Sequence, residues 1–262
     1  MLHAMKGLVN RAVEPWAREV LDATPILAIE GARQTGKSTL AQMLVHGTQA
    51  KVVSLDEPDA LAFARNDPRG FVEQASGQTL VIDEVQRVPP LTLSIKASVD
   101  KDRRPGRFIL TGSSDLARMR GDKDSLAGRS MTINLLPFTQ AELRNTTARG
   151  TLVDRLLAAE SPIAATAGQE PLTHQSLIDL ILHGGLPAAQ RLTPRIRSGW
   201  YRDYVEKLTR VDALDNGKKL SPDRLQALLR LIAANQSGET VKARLGQEAA
   251  IPASSITNYL DA

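Results

Sequence analysis

The sequence predicts an α/β fold built on a five-stranded parallel sheet. Five short apolar runs recur along the first half of the chain, and the segments between them are long enough for crossover helices. The first run ends in a glycine-rich loop, which leads into apolar residues at helical spacing. The predicted strands are residues 26–30, 51–55, 79–83, 107–111 and 131–135, and residues 11–22 are predicted to form a helix before them.

The loop after the first predicted strand is the most informative stretch of the chain. Residues 31–38 read Gly-Ala-Arg-Gln-Thr-Gly-Lys-Ser, which fits G-x-x-x-x-G-K-[ST], the phosphate-binding loop of nucleotide triphosphatases. Its backbone N–H groups would surround the phosphates of ATP, helped by the positive end of the next helix. The alternative, a glycine-rich turn before an ordinary helix, is disfavoured by the strand–loop–helix context. The predicted ATP-binding residues are Gly31, Ala32, Arg33, Gln34, Thr35, Gly36, Lys37, Ser38 and Thr39.

Two adjacent acids, Asp83 and Glu84, end the third predicted strand. After a phosphate loop, the first acid would hold Mg²⁺ together with the Ser38 hydroxyl. Glu84 would be the general base that activates the attacking water, and Lys37 would reach the β- and γ-phosphates. The alternative is a polar strand end, which taken alone is far commoner than a catalytic pair. The order of the two motifs favours the catalytic interpretation.

Two further residues, Ser113 and Arg129, are candidate catalytic residues, and each also has a non-catalytic interpretation. Ser113 follows the fourth predicted strand, where its hydroxyl could contact the γ-phosphate or the attacking water, but serine is also a preferred helix N-cap. Arg129 precedes the fifth strand and could stabilise transition-state charge, in the same chain or from a neighbouring subunit. A surface arginine is the alternative, and the sequence does not choose between them.

Length, composition and charge limit the classes of protein to which this chain can belong. A chain of 262 residues has room for one sizeable α/β domain and a smaller one. It lacks both cysteine and any long apolar run, so we expect no disulfide, no cysteine metal site and no membrane span. The amino-terminal sequence is unlike a secretory signal, and a cytoplasmic location is expected. The formal net charge of +4 permits nucleic-acid binding but does not argue for it.

Several motifs occur in an order that resembles a known family. They read Asp-Glu-Val-Gln-Arg at 83–87, Phe-Ile-Leu-Thr-Gly-Ser-Ser at 108–114, Leu-Ala-Gly-Arg at 126–129, Leu-Pro-Phe at 136–138 and Gly-Gly-Leu-Pro at 184–187. From about Asn10 onward the chain resembles prokaryotic AAA-type ATPases of the AAA_14/DUF4143 family, close to archaeal STAND-like P-loop ATPases. The resemblance implies a P-loop NTPase core of the AAA (ASCE) class. An additional strand would then lie between the Walker A and Walker B strands.

Beyond about residue 139 the pattern predicts helices only. We expect an ATPase core at 1–138, a helical lid at 139–216 and the start of a winged helix-turn-helix module at 217–262. Related chains continue into a domain that resembles the restriction-endonuclease fold, for which this chain has no residues. Whether the chain is a fragment or a short family member is left open. An incomplete module predicts exposed apolar side chains at Ile251, Ile256 and Leu260.

The predicted helix pair near the end of the chain bears on possible partners. The second helix is predicted to carry Ser254, Ser255, Thr257 and Asn258, which in a DNA-binding protein could contact bases or phosphates. The segment mixes acidic and basic residues, so we favour a module that packs on protein, and DNA binding is only weakly supported. A homo-oligomer or another protein partner is the other expectation.

Two classes of function follow from these motifs. The first is an ATPase that couples Mg-dependent hydrolysis of ATP to a conformational or assembly change. The second is a nucleotide-dependent switch that binds DNA or protein with little intrinsic hydrolysis. A P-loop kinase is a weaker third hypothesis, because a kinase must keep water from attacking, whereas the Asp83–Glu84 pair is suited to activating it.

Overall fold

The computed structural model describes residues 8–112, 126–147, 152–158, 172–212 and 220–261. The chain divides into two compact units, Met1–Gln190 and Arg191–Ala262. The domain boundaries predicted near residues 138 and 216 stay predictions.

The first unit contains a five-stranded parallel sheet, as predicted. The strands are β1 (Ile26–Glu30), β2 (Ala50–Ser54), β3 (Thr79–Asp83), β4 (Phe108–Gly112) and β5 (Ser130–Asn134). Their order across the sheet is β2-β3-β4-β1-β5, and every neighbouring pair is parallel. β4 is thus the additional strand between β1, which leads into the glycine-rich loop, and β3, which ends in the acidic pair. All five predicted strands are confirmed to within one residue at each end.

Helices precede, connect and follow the strands. In the first unit they are α1 (Glu14–Ala23), α2 (Lys37–Leu44), α3 (Pro58–Asn66), α4 (Pro68–Glu73), α5 (Leu91–Lys101), α6 (Gln140–Leu143), α7 (Leu152–Ala158) and α8 (His174–His183), with 3₁₀ turns at Val85–Arg87 and Pro187–Ala189. Proline lies in the first turn of α1, α3 and α4, where its missing N–H costs no hydrogen bond. In the described part of the chain no helix is long and apolar enough to cross a bilayer.

The sheet is covered on both faces, as parallel sheets require. On one face Leu80, Ile82 and Phe108 pack with apolar residues of α3, α4 and α5. On the other face Leu27 and Ile29 pack with residues of α1 and α2. The two clusters alternate along each central strand because successive side chains point to opposite faces. This packing fixes the carboxyl ends of β1, β3 and β4 side by side.

The second unit is helical in its described residues. It contains α9 (Pro194–Lys207), which continues into a π-helical turn (Leu208–Asp212), and α10 (Pro222–Ala234), α11 (Lys242–Glu248) and α12 (Ile256–Leu260). The prediction that Ile251 and Ile256 are exposed is wrong. Both are buried, in a cluster that α10, α11 and α12 share, and Leu260 is half-buried against it. The three helices close on one another and cover these side chains themselves.

Candidate functional site

The loop between β1 and α2 has the backbone shape that its glycines allow. Gly31 has φ +153°, and an added Cβ would lie 2.3 Å from the Leu135 carbonyl oxygen. Gly36 has φ +95° and caps α2 without a side-chain hydrogen bond to the first helical N–H groups. Both positions therefore need glycine, and the first N–H groups of α2 have no side-chain cap.

Lys37, the first residue of α2, is buried within the loop. Its Nζ donates hydrogen bonds to the carbonyl oxygens of Gly31 at 3.1 Å and Ala32 at 2.9 Å. Burial lowers the pKa of the Lys37 ammonium group, while the nearby carboxylates of Glu84 and Asp83 oppose that shift. An anion bound in the loop would therefore meet the positive charge of Lys37. The neighbouring acids compensate that charge only in part.

Asp83 connects the loop to the end of β3. The Ser38 hydroxyl donates to Asp83 Oδ1 at 2.7 Å, although the two residues are 45 positions apart in sequence. The buried hydroxyl of Thr111, in β4, donates to the same carboxylate oxygen. The two residues predicted to hold Mg²⁺ are thus in direct contact, and Thr111 is an additional partner that the sequence analysis did not identify.

Glu84 is held in an uncommon backbone conformation. Its φ of 57° and ψ of 43° lie in the left-handed region, which for a residue with a Cβ costs about 1–2 kcal/mol. Its N–H donates to the Thr111 hydroxyl at 3.3 Å, and its carboxylate accepts a hydrogen bond from the Gln86 side-chain amide. Strain of this kind, held by surrounding contacts, is typical of functional positions.

Of the other two predicted residues, Arg129 is not brought to this site. Ser113 lies outside the described residues, so its proposed contact stays a prediction. Arg129 directly precedes β5, and its carbonyl accepts from the N–H of Ile26, at the amino end of β1. Its guanidinium forms a bidentate ion pair with the Asp100 carboxylate, with Nε–Oδ1 and Nη2–Oδ2 distances of 2.8 and 3.0 Å. Since the phosphate loop follows the opposite end of β1, Arg129 does not reach it within the same chain.

A buried ion pair lies beside the loop. Arg11 Nε contacts Glu142 Oε1 at 3.0 Å, and both side chains are almost fully buried. Glu142 also accepts from the N–H groups of Ala12 and Thr139, the latter as part of the capping box that begins α6. Burial alone would raise the pKa of Glu142, but these hydrogen bonds and the Arg11 charge outweigh it and lower that pKa.

The ion pair makes the stability of the first unit depend on pH. Because the pKa of Glu142 is lower in the folded state, its ionised form stabilises the fold above the ordinary glutamate pKa and loses this effect as pH falls through the folded pKa. Glu142→Gln is expected to lower the free energy of unfolding by about 3–5 kcal/mol at pH 7. The difference from the wild type should shrink at acidic pH.

Denaturant unfolding from pH 7 to pH 3 measures this dependence. Glu14→Gln is the matched control, because Glu14 forms its ion pair with Arg18 on an exposed helix surface. A destabilisation by Glu142→Gln that stayed constant down to pH 3 would contradict the role given to the ionised carboxylate.

The family model AAA_14, described as an AAA domain, matches residues 23–144. This chain carries an AAA domain. The matched range spans the sheet, the phosphate loop, both acids and Glu142, and the AAA-type part of the resemblance is confirmed. A second model, a domain of unknown function (DUF8612), matches residues 174–262.

Two relatives and one solved structure are similar to this chain. Uncharacterized proteins of Mycobacterium bovis and Mycobacterium tuberculosis are each 30% identical over 132 residues, which cover 50% of this chain and 29% of each relative. The chain therefore matches less than a third of the length of these relatives. A Walker-type ATPase of Pyrococcus abyssi is similar in fold, with a TM-score of 0.59 at 14% identity, over 98% of this chain and 89% of that one.

Proposed function

We propose that this protein binds Mg-ATP in the loop of its AAA domain and hydrolyses it to drive a conformational or assembly change. The observation that carries the proposal is the 2.7 Å contact between Ser38 Oγ and Asp83 Oδ1. It joins the phosphate loop to the acidic end of β3, which is the arrangement that phosphate and Mg²⁺ chemistry needs.

The phosphates would be bound by the loop and by Lys37. The N–H groups at the start of α2 lack a side-chain cap, so an anion can accept from them in the favourable field of the helix. Lys37 would exchange its bonds to the Gly31 and Ala32 carbonyls for phosphate oxygens. That exchange is favourable because a carbonyl oxygen is a weaker partner for an ammonium group than a charged phosphate.

The residues at the end of β3 fit a magnesium ion. Mg²⁺ prefers oxygen ligands and in nucleotide sites uses one or two protein groups plus phosphates and water. The Ser38 hydroxyl and the Asp83 carboxylate supply such oxygens and already contact each other. Bound there, the ion would neutralise charge that develops on the phosphates. Thr111 orients the Asp83 carboxylate by donating to it.

Glu84 is the residue we assign as general base. Its backbone is fixed through the Thr111 hydroxyl, and its side chain is only partly buried, so a water molecule can approach it. Ser113 is proposed as a further contact for the γ-phosphate or that water. Arg129 remains a candidate only from a neighbouring subunit of a homo-oligomer, where it would first have to leave Asp100.

Steady-state phosphate release tests the proposed function. The protein is expected to release phosphate from ATP with Mg²⁺ and to stop when EDTA removes the metal. Added duplex DNA is expected to change the rate little. Binding of ATP measured by calorimetry together with no release under any condition would contradict hydrolysis. No detectable binding would reject the nucleotide site itself.

A nucleotide-dependent switch with little hydrolysis is the second candidate function. The observation that favours it is the hydrogen bond from the Gln86 amide to the Glu84 carboxylate, because a donor on a carboxylate makes it a weaker base. The DNA form of this hypothesis has less support. In the carboxyl-terminal helices Thr257 and Asn258 are exposed, but Arg244 is paired with Glu248 at 2.7 Å. A strong increase in phosphate release on adding DNA would favour it.

A further inference from the structure

Arg11 lies directly beside the phosphate loop and touches no residue of the acidic pair. Its side chain is 6% exposed, and its three nitrogen atoms each donate to a different segment. Nε donates to Glu142, Nη1 donates to the Thr35 carbonyl at 2.9 Å, and Nη2 donates to the Leu136 carbonyl. Its guanidinium also lies 4.8 Å from the centre of the Phe138 ring. The side chain is therefore fixed in position on every side.

The contact with Thr35 determines where one N–H group of the loop points. In a trans peptide the carbonyl and the following N–H point in opposite directions. The Thr35–Gly36 peptide is trans, and its carbonyl points outward to Arg11. The N–H of Gly36 must then point away from Arg11. Gly36 caps α2, next to Lys37, so this N–H lies among the donors that a phosphate would use.

Without an anchor, this peptide has an alternative orientation. Rotating the Thr35–Gly36 peptide plane changes φ of Gly36, and glycine tolerates almost any φ. The Thr35 side chain does not prevent the rotation, because its hydroxyl donates to the Ala32 carbonyl instead. Arg11 Nη1 is the hydrogen-bond donor that the structure gives to the Thr35 carbonyl. Gly36 allows the backbone shape of the loop, but it also allows the Thr35–Gly36 peptide to rotate. The orientation of this peptide therefore depends on Arg11.

We propose that Arg11 is a positioning residue for phosphate binding, which orients the Gly36 N–H by holding the Thr35 carbonyl. The proposal rests on the nucleotide site proposed above. Arg11 acts through the peptide and not by touching phosphate, so the geometry of its planar guanidinium matters as well as its charge. Lysine keeps the charge but cannot donate in three fixed directions.

Calorimetric titration with ATP and ADP tests the proposal in four proteins. Arg11→Lys should weaken binding of both nucleotides about tenfold, the value of one charge-assisted hydrogen bond. Turnover at saturating ATP should stay within about twofold of the wild type, because the contacts of Glu84 are unchanged. Arg18→Lys is the control, since Arg18 also donates to backbone carbonyls, those of Met43 and Leu44, away from the loop.

Glu142→Gln separates positioning from a purely structural role. It removes the same buried ion pair but leaves the bond from Arg11 to Thr35 available. Positioning predicts that Glu142→Gln lowers the melting temperature yet binds nucleotide normally at a temperature where the variant is folded. Equal affinity in Arg11→Lys and the wild type, or equal weakening in Arg11→Lys and Glu142→Gln, would overturn the proposal. Absence of binding in the wild type would instead reject the nucleotide site.

Discussion

Glu84→Gln is expected to lower the rate of ATP hydrolysis about 10²–10⁴-fold, the usual contribution of a general base. The amide cannot accept a proton from water, but it has almost the shape of the carboxylate. The phosphate contacts proposed for the loop do not involve the Glu84 side chain, and neither does the bond between Ser38 and Asp83, so ATP affinity should be preserved. Phosphate release and calorimetric titration on the same preparation measure both quantities.

The control for this substitution is Glu73→Gln. Glu73 lies at the end of α4, where its exposed carboxylate is paired with Lys101, and its replacement should leave turnover unchanged. If Glu84→Gln hydrolysed ATP at the wild-type rate, another residue would have to activate the water. The nucleotide-dependent switch would then become the better description of the protein.

Lys37→Ala is expected to weaken ATP binding about ten- to a hundredfold, because a hydrogen bond to a charged group is typically worth about 1.5–3 kcal/mol. The substitution also removes the positive charge that faces Glu84 and Asp83, so a phosphate would meet these two acids without the compensating charge of the lysine. The core packing of α2 should persist, since Leu40, Ala41 and Leu44 supply it.

Titration calorimetry with ATP measures the loss, and circular dichroism checks the fold. Lys51→Ala is the matched control, because Lys51 lies exposed on the outer strand β2. Equal ATP affinity in Lys37→Ala and the wild type would remove the basis for assigning residues 31–39 to phosphate binding.

The local features of this site could be predicted from sequence, because they depend on neighbours along the chain. Strand positions follow from apolar runs, and the loop follows from the spacing of Gly31, Gly36 and Lys37. The side-by-side placement of Asp83 and Ser38 follows from the parallel topology, once β1 and β3 are assigned. The same rule places Arg129 at the end of the sheet away from the loop, because it precedes a parallel strand.

The contacts that support the site could not be predicted in this way. Arg11 and Glu142 are 131 positions apart, and neither residue has a local pattern that marks it as buried. Thr111 is an ordinary strand residue by composition, and its role arises only because β4 lies between β1 and β3. The left-handed backbone of Glu84 is imposed by the turn after β3, against the preference of glutamate itself. Such features depend on the folded structure as a whole.

The strand order also has a consequence for synthesis of the protein on the ribosome. Among the residues that the structure describes, β1 pairs with β4 and β5, so Ile26 finds its first partner there when Phe108 has been made. At about 5–20 residues per second, the growing chain carries this unpaired apolar strand for roughly 4–16 s. During that interval both edges of β1 are open to pairing with other chains. The nascent polypeptide is therefore expected to be most exposed to aggregation until its fourth strand emerges.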